Sequence, residues 1–138
     1  MRYNAQQQAY SQALRSSEMA EARAAAHERA FLEARGATDR RGLPARRLWQ
    51  VEDYATFDAL EAEYQADPVA AELQSTEMDA RAALIKAEKA LVSWALPIAP
   101  AGVRATLAPA AETDRATRKK IIDLAMLLDA STVSRRAV

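Results

Sequence analysis

The chain has 138 residues, a length expected of one domain with a modest core. Half of its residues are hydrophobic, but alanine supplies 34 of them, so a typical helix contact removes less apolar area from water than a leucine contact would. Nineteen basic and nineteen acidic residues cancel, and the absence of cysteine excludes disulfides, thiolate catalysis and thiolate zinc sites.

Alanine is the best intrinsic helix former, and only three glycines and five prolines interrupt the chain. Apolar and polar residues never alternate over a strand length. The expected fold is all-α: an irregular bundle of about four main helices, the first and third long, in a single domain spanning 1–138. Seams this thin predict a protein that gains stability from a protein partner or from self-association.

The first helix is expected over 4–35, with Asn4 as N-cap and Gly36 just past its end. Ala13, Ser17, Ala20, Ala24, His27 and Phe31 repeat with alternating spacings of four and three, joined by Tyr10 and Leu14. A loop follows over 36–47, punctuated by Gly36, Gly42 and Pro44. It carries two arginine pairs, Arg40-Arg41 and Arg46-Arg47. Leu48, Trp49 and Val51 lead into a second helix over 53–66, with Phe57, Leu60 and Tyr64 on its buried face. Asp67-Pro68 marks a helix start, because aspartate caps and proline at the first helical position lacks only an N–H that has no partner there. The third helix runs over 68–96 with Leu73, Glu77, Ala80, Leu84, Ala87, Leu91 and Trp94 as its seam. The polar Glu77 makes the first turns less buried. Residues 97–112 read as a proline-rich loop with a short helical turn from Pro100 to Leu107. The last helix is expected over 113–130, with Ile121, Leu124, Ala125 and Leu128 inward and a loose tail from Ser131. Leu84, Leu91, Trp94, Leu124 and Leu128 are the expected core, and Trp49 and Trp94 are read as core anchors.

Charge is segregated along the chain. Residues 37–47 carry four positive charges and one negative, and 48–80 carry nine acids with no lysine or arginine. Residues 81–138 carry ten positive and five negative charges. Phosphate backbones are held by several converging cations, preferably guanidinium forks. Two clusters fit that need as candidate nucleic-acid or anion contacts: Arg40, Arg41, Arg46 and Arg47 in the loop, and Arg115, Arg118, Lys119 and Lys120 at the start of the last helix. The second cluster opposes the helix dipole, so its cations have a reason other than helix stability. The same loop arginines could instead meet the acidic face around Asp58, Glu61 and Glu63.

No catalytic residue, metal site or cofactor is expected. His27 has no second histidine or cysteine to complete a site and reads as a satisfied structural histidine. Asp58, Glu61, Glu63 and Asp67 match no calcium-loop spacing and read as a solvated face. There is no glycine-rich phosphate loop and no nucleophile elbow. Leu124-Ala125 and Ser131 through Arg135 echo the repressor helix-turn-helix spacing, but two residues are missing before Thr132, and no family is assigned. Met1 to Gln8 has no apolar core of a leader, and the uncharged stretch Ala90–Val103 is shorter than the ~20 residues a membrane helix needs. A cytoplasmic protein without membrane contact is expected, and fifteen arginines against four lysines suggest a bacterial or phage genome.

The expected function is that of a non-catalytic α-helical interaction subunit of a larger assembly, with a nucleoprotein complex as one form of it. Its size and class are those of the small helical subunits of bacterial nucleic-acid-guided effector complexes. The alternatives are a phage or plasmid structural or accessory protein assembling through its helix seams without nucleic acid, and a small DNA-binding regulator.

Overall fold

The computed structural model describes residues 2–98 and 100–137, with side chains described for 5–98, 100–124, 126 and 127. Five helices make up the described chain: α1 (Arg2–Ala34), α2 (Tyr54–Gln65), α3 (Pro68–Ala95), α4 (Ala101–Ala111) and α5 (Arg115–Ala137). A single 3-10 turn lies at Leu48–Gln50, and no strand is present among the described residues. The all-α class is therefore as expected, at 79% helix, with five helices in place of four.

Contacts divide the chain into two compact units, Arg15–Arg81 and Met1–Leu14 with Ala82–Val138. In the first, Phe31, Leu32, Ala37, Ala45, Val51 and Leu60 are buried together, with Leu48, Phe57 and Tyr64 packed on them. The Tyr64 ring meets Phe31 edge-on at 5.0 Å between centroids, a favourable aromatic geometry. In the second, Leu91, Val92, Ala95, Ala111, Ile121 and Ile122 form the core, with Tyr10, Trp94, Leu96, Leu107 and Met126 against it.

The expected α1 seam holds: Ala20 and Phe31 are buried, and Ala13, Ser17, Ala24 and His27 are half-buried. The α3 seam deepens along its length, as the polar Glu77 implied. Leu73, Glu77 and Ala80 are half-buried, whereas Leu84 and Leu91 are buried. Leu124 and Trp94 are half-buried, and Leu128 lies outside the described side chains.

The starts of α2, α3 and α5 have a local cause. Asp53 accepts from the Thr56 N–H at 3.2 Å, Asp67 from the Val69 N–H at 3.1 Å, and Asp114 from the Ala116 N–H at 3.2 Å, each satisfying a donor that the first turn leaves unpaired. α1 ends at a left-handed Gly36 (φ 63°), with the Ala37 N–H bonded back to the Leu32 carbonyl and the Gly36 N–H to that of Glu33.

Four expectations are corrected. α1 begins at Arg2, so Asn4 lies inside the helix and is not its cap. Residues 101–111 form a full helix: Pro109 sits near its C-terminal end, where the missing N–H costs a single bond to the Ala105 carbonyl. α5 continues through Ala137, past the tail expected from Ser131. Trp49 is 74% exposed and anchors no core. No described helix is long and apolar enough to cross a membrane.

Candidate functional site

The basic loop is a built structure. The Asp39 carboxylate accepts the N–H groups of Arg41 at 2.8 Å and Leu43 at 3.0 Å, closing a tight turn in which Gly42 takes φ 78°. The Asp39 N–H bonds the Leu43 carbonyl at 2.7 Å, and the Ala45 N–H bonds that of Ala37 at 2.9 Å. Antiparallel bridges join Thr38 to Pro44 and Asp39 to Val51, while Ala37, Ala45 and Val51 are buried beneath. The Gln50 side chain reaches back to accept from the Arg46 and Arg47 N–H groups at 2.9 and 3.3 Å. Glycine and proline here shape a fixed hairpin and do not loosen the segment.

That scaffold separates the four arginines. Arg40 and Arg41 line an open depression of about 520 Å³ with Leu43, Trp49, Gln50 and Glu52, and neither forms an ion pair among the described residues. Leu43 is 55% exposed beside the exposed Trp49. Arg46 and Arg47 line a different depression, against Ala25, Ala26 and Arg29 of α1. Arg47 is already engaged, its Nε 2.5 Å from a carboxylate oxygen of the mostly buried Glu28. Convergence of all four guanidiniums on one anion is therefore absent; the exposed pair is Arg40 with Arg41.

The acidic face is partly neutralised from within its own unit. Glu63 pairs with Arg35 at 2.5 Å, and the guanidinium of Arg35 also lies 3.6 Å over the Phe31 ring. The Arg35 hydrogen bond holds the Glu63 carboxyl below its ordinary range. His27 Nε2 lies 2.7 Å from Asp67 Oδ2, so the lone histidine has a structural partner, and this bond lowers the Asp67 carboxyl. Burial, and after it the Glu28 carboxylate, raises the Tyr64 phenol. Among the described residues no group of three or more His, Cys, Asp or Glu could hold a metal ion.

The second cationic cluster splits as well. Arg118 is buried, donating from Nε to Glu88 Oε1 at 3.1 Å and from a terminal nitrogen to the Ala111 carbonyl at 3.2 Å. Arg115 donates to the other Glu88 oxygen at 2.9 Å while most of its side chain stays in water. Lys119 and Lys120 are exposed on α5. Arg118 is thereby removed from the candidate anion contacts: a guanidinium withdrawn from solvent and satisfied internally cannot reach a phosphate. The reason that overrides the helix dipole at this position is the buried Glu88 carboxylate.

One participant, Glu88, escaped the sequence reading, and Trp49 was read in the wrong role. Glu88 follows Leu84 by four residues and precedes Leu91 by three, so the spacing itself puts it on the buried face. Of the short apolar run between Arg46-Arg47 and Glu52-Asp53, Val51 is buried and Leu48 packs on the core, while Trp49 is left outside. Compared with known proteins, the chain matches no family model, no curated protein and no solved structure.

Proposed function

We propose that the chain is a non-catalytic binding module, a subunit of a larger assembly, held through the surface formed by Arg40, Arg41, Leu43 and Trp49. The observation that carries this reading is an indole 74% exposed on the 3-10 turn beside a hydrogen-bonded hairpin, next to two guanidiniums that form no ion pair among the described residues. Tryptophan and arginine dominate the energetics of protein interfaces, and a loop fixed in advance loses little freedom on binding. A free-standing protein gains nothing from exposing Trp49 and Leu43 side by side. The test is native co-purification from the cells that encode the protein. Wild type should bring down a stoichiometric assembly that Trp49→Ala loses while its circular dichroism is unchanged. Retention of the whole assembly by Trp49→Ala sinks the reading.

A second reading, contact with a nucleic-acid backbone, is favoured by Arg40, Arg41 and Arg46, which form no ion pair among the described residues. Each phosphate neutralised should contribute about −0.7 to −0.9 to the slope of log K against log salt. Arg40→Ala with Arg41→Ala should flatten that slope, and the absence of filter retention of wild type at low salt removes the reading.

A further inference from the structure

The unit Arg15–Arg81 contains nine basic and fourteen acidic residues, so the basic hairpin is a local exception on an acidic body. An extended polyanion would be repelled by most of that body. A partner that matches both signs fits better, and the chain itself has both. Val69, Glu72, Thr76 and Asp79 recur at i, i+3, i+7 and i+10, the spacing of one helix face, and all four are exposed on α3. Glu72 and Asp79 form no ion pair among the described residues, unlike Glu63, Asp67 and Glu77, which Arg35, His27 and Arg81 engage. No lysine or arginine occurs between 48 and 80 to serve them. Val69, half exposed, adds an apolar spot to the same face.

We propose that the hairpin of one copy docks on this α3 face of a second copy, with Arg40 and Arg41 pairing with Glu72 and Asp79 and with Trp49 and Leu43 covering Val69. The inference rests on the reading of the hairpin as the binding surface, and names its occupant. Two different patches meet, so the contact is heterologous: each copy added leaves one hairpin and one acidic face open, and growth continues until a ring closes or ends stay free. A net charge of zero removes the long-range repulsion that would keep copies apart.

The test is sedimentation and light scattering on the full chain across concentration and salt. At low ionic strength the average mass of wild type should rise with concentration to at least twice the 15.1 kDa of one chain, and fall back as salt is added. Arg40→Glu with Arg41→Glu, and separately Glu72→Lys with Asp79→Lys, should each be monomeric. Mixed, these two variants should associate again, since the native hairpin of one fits the native face of the other and the reversed hairpin fits the reversed face. All four changes in one chain should restore association, an outcome that general loss of folding cannot produce. A wild type that stays monomeric at its highest soluble concentration overturns the proposal, as does association insensitive to both charge reversals. If wild type is monomeric yet Trp49→Ala still loses a co-purifying protein, the self-docking inference fails and the binding surface stands. If Trp49→Ala changes neither measurement, both fail.

Discussion

Glu88 and Arg118 meet in the interior of their unit, Oε1 to Nε at 3.1 Å, each with about one twentieth of its side chain exposed. Arg115 completes the carboxylate from the solvent side. Removing one member of such a pair leaves the other buried without compensation, which costs about 3–5 kcal/mol. Glu88→Ala should therefore unfold at a much lower urea concentration than wild type. The double replacement Glu88→Leu with Arg118→Met should be less damaging than Glu88→Ala, because no charge is stranded. Equal loss in the two would mean that a stranded charge is not what destabilises Glu88→Ala.

Leu32 and Leu91 are among the most deeply buried large side chains, one in each core. Truncation to alanine should cost about 2–5 kcal/mol at either site. Urea unfolding measures it, and a loss below about 0.5 kcal/mol would show that the site is not core.

Trp49→Ala and the pair Arg40→Ala, Arg41→Ala should leave stability within about 0.5 kcal/mol of wild type, since these side chains pack against little and pair with nothing described. Thermal melts followed at 222 nm give the comparison. A large drop would assign the indole a structural duty that its exposure argues against.

Acid should loosen the helix starts together. Hydrogen bonds from Thr56, His27 and Thr117 hold the Asp53, Asp67 and Asp114 carboxyls below their ordinary range, and Arg35 does the same for Glu63. A carboxyl whose folded value is lowered contributes stability that is fully present above its unfolded value, about 4, and is lost as pH falls through the lowered folded value. Melting temperature should accordingly be insensitive to these groups near neutrality and fall below about pH 4. Asp67→Asn keeps a capping side chain but no carboxyl, so its melting temperature should decline less steeply with acid. Parallel declines in wild type and variant would remove Asp67 from the account.

The helix pattern was legible because alanine-rich helices leave their seams in plain register: 13, 17, 20, 24, 27, 31 on α1 and 73, 77, 80, 84 on α3 all read correctly. The α1 end at Gly36 and the α3 start at Asp67-Pro68 carried their own chemistry. What escaped was tertiary. Beyond Leu84 the buried face of α3 takes in Glu88, Val92 and Ala95 beside the expected Leu91, and a charged residue at a core phase looks like solvent until its cation, 30 residues away, is seen. Pro109 disguised α4, because a proline near a helix end forbids little. The candidate site was half legible: the arginines were visible, but Asp39 fixes which of them stand together, and that follows from the turn it closes.

That turn has a consequence for how the chain meets proteases. The segment 40–47 offers four arginines to trypsin within eight residues. Cleavage requires the backbone to be drawn out straight in the enzyme's cleft, and here it is tied by Asp39, by the bridges to Pro44 and Val51, and by the buried Ala37 and Ala45. A stretch rich in cleavage sites is thus held in a shape that makes it a poor substrate, and early nicks should fall elsewhere despite the abundance of sites.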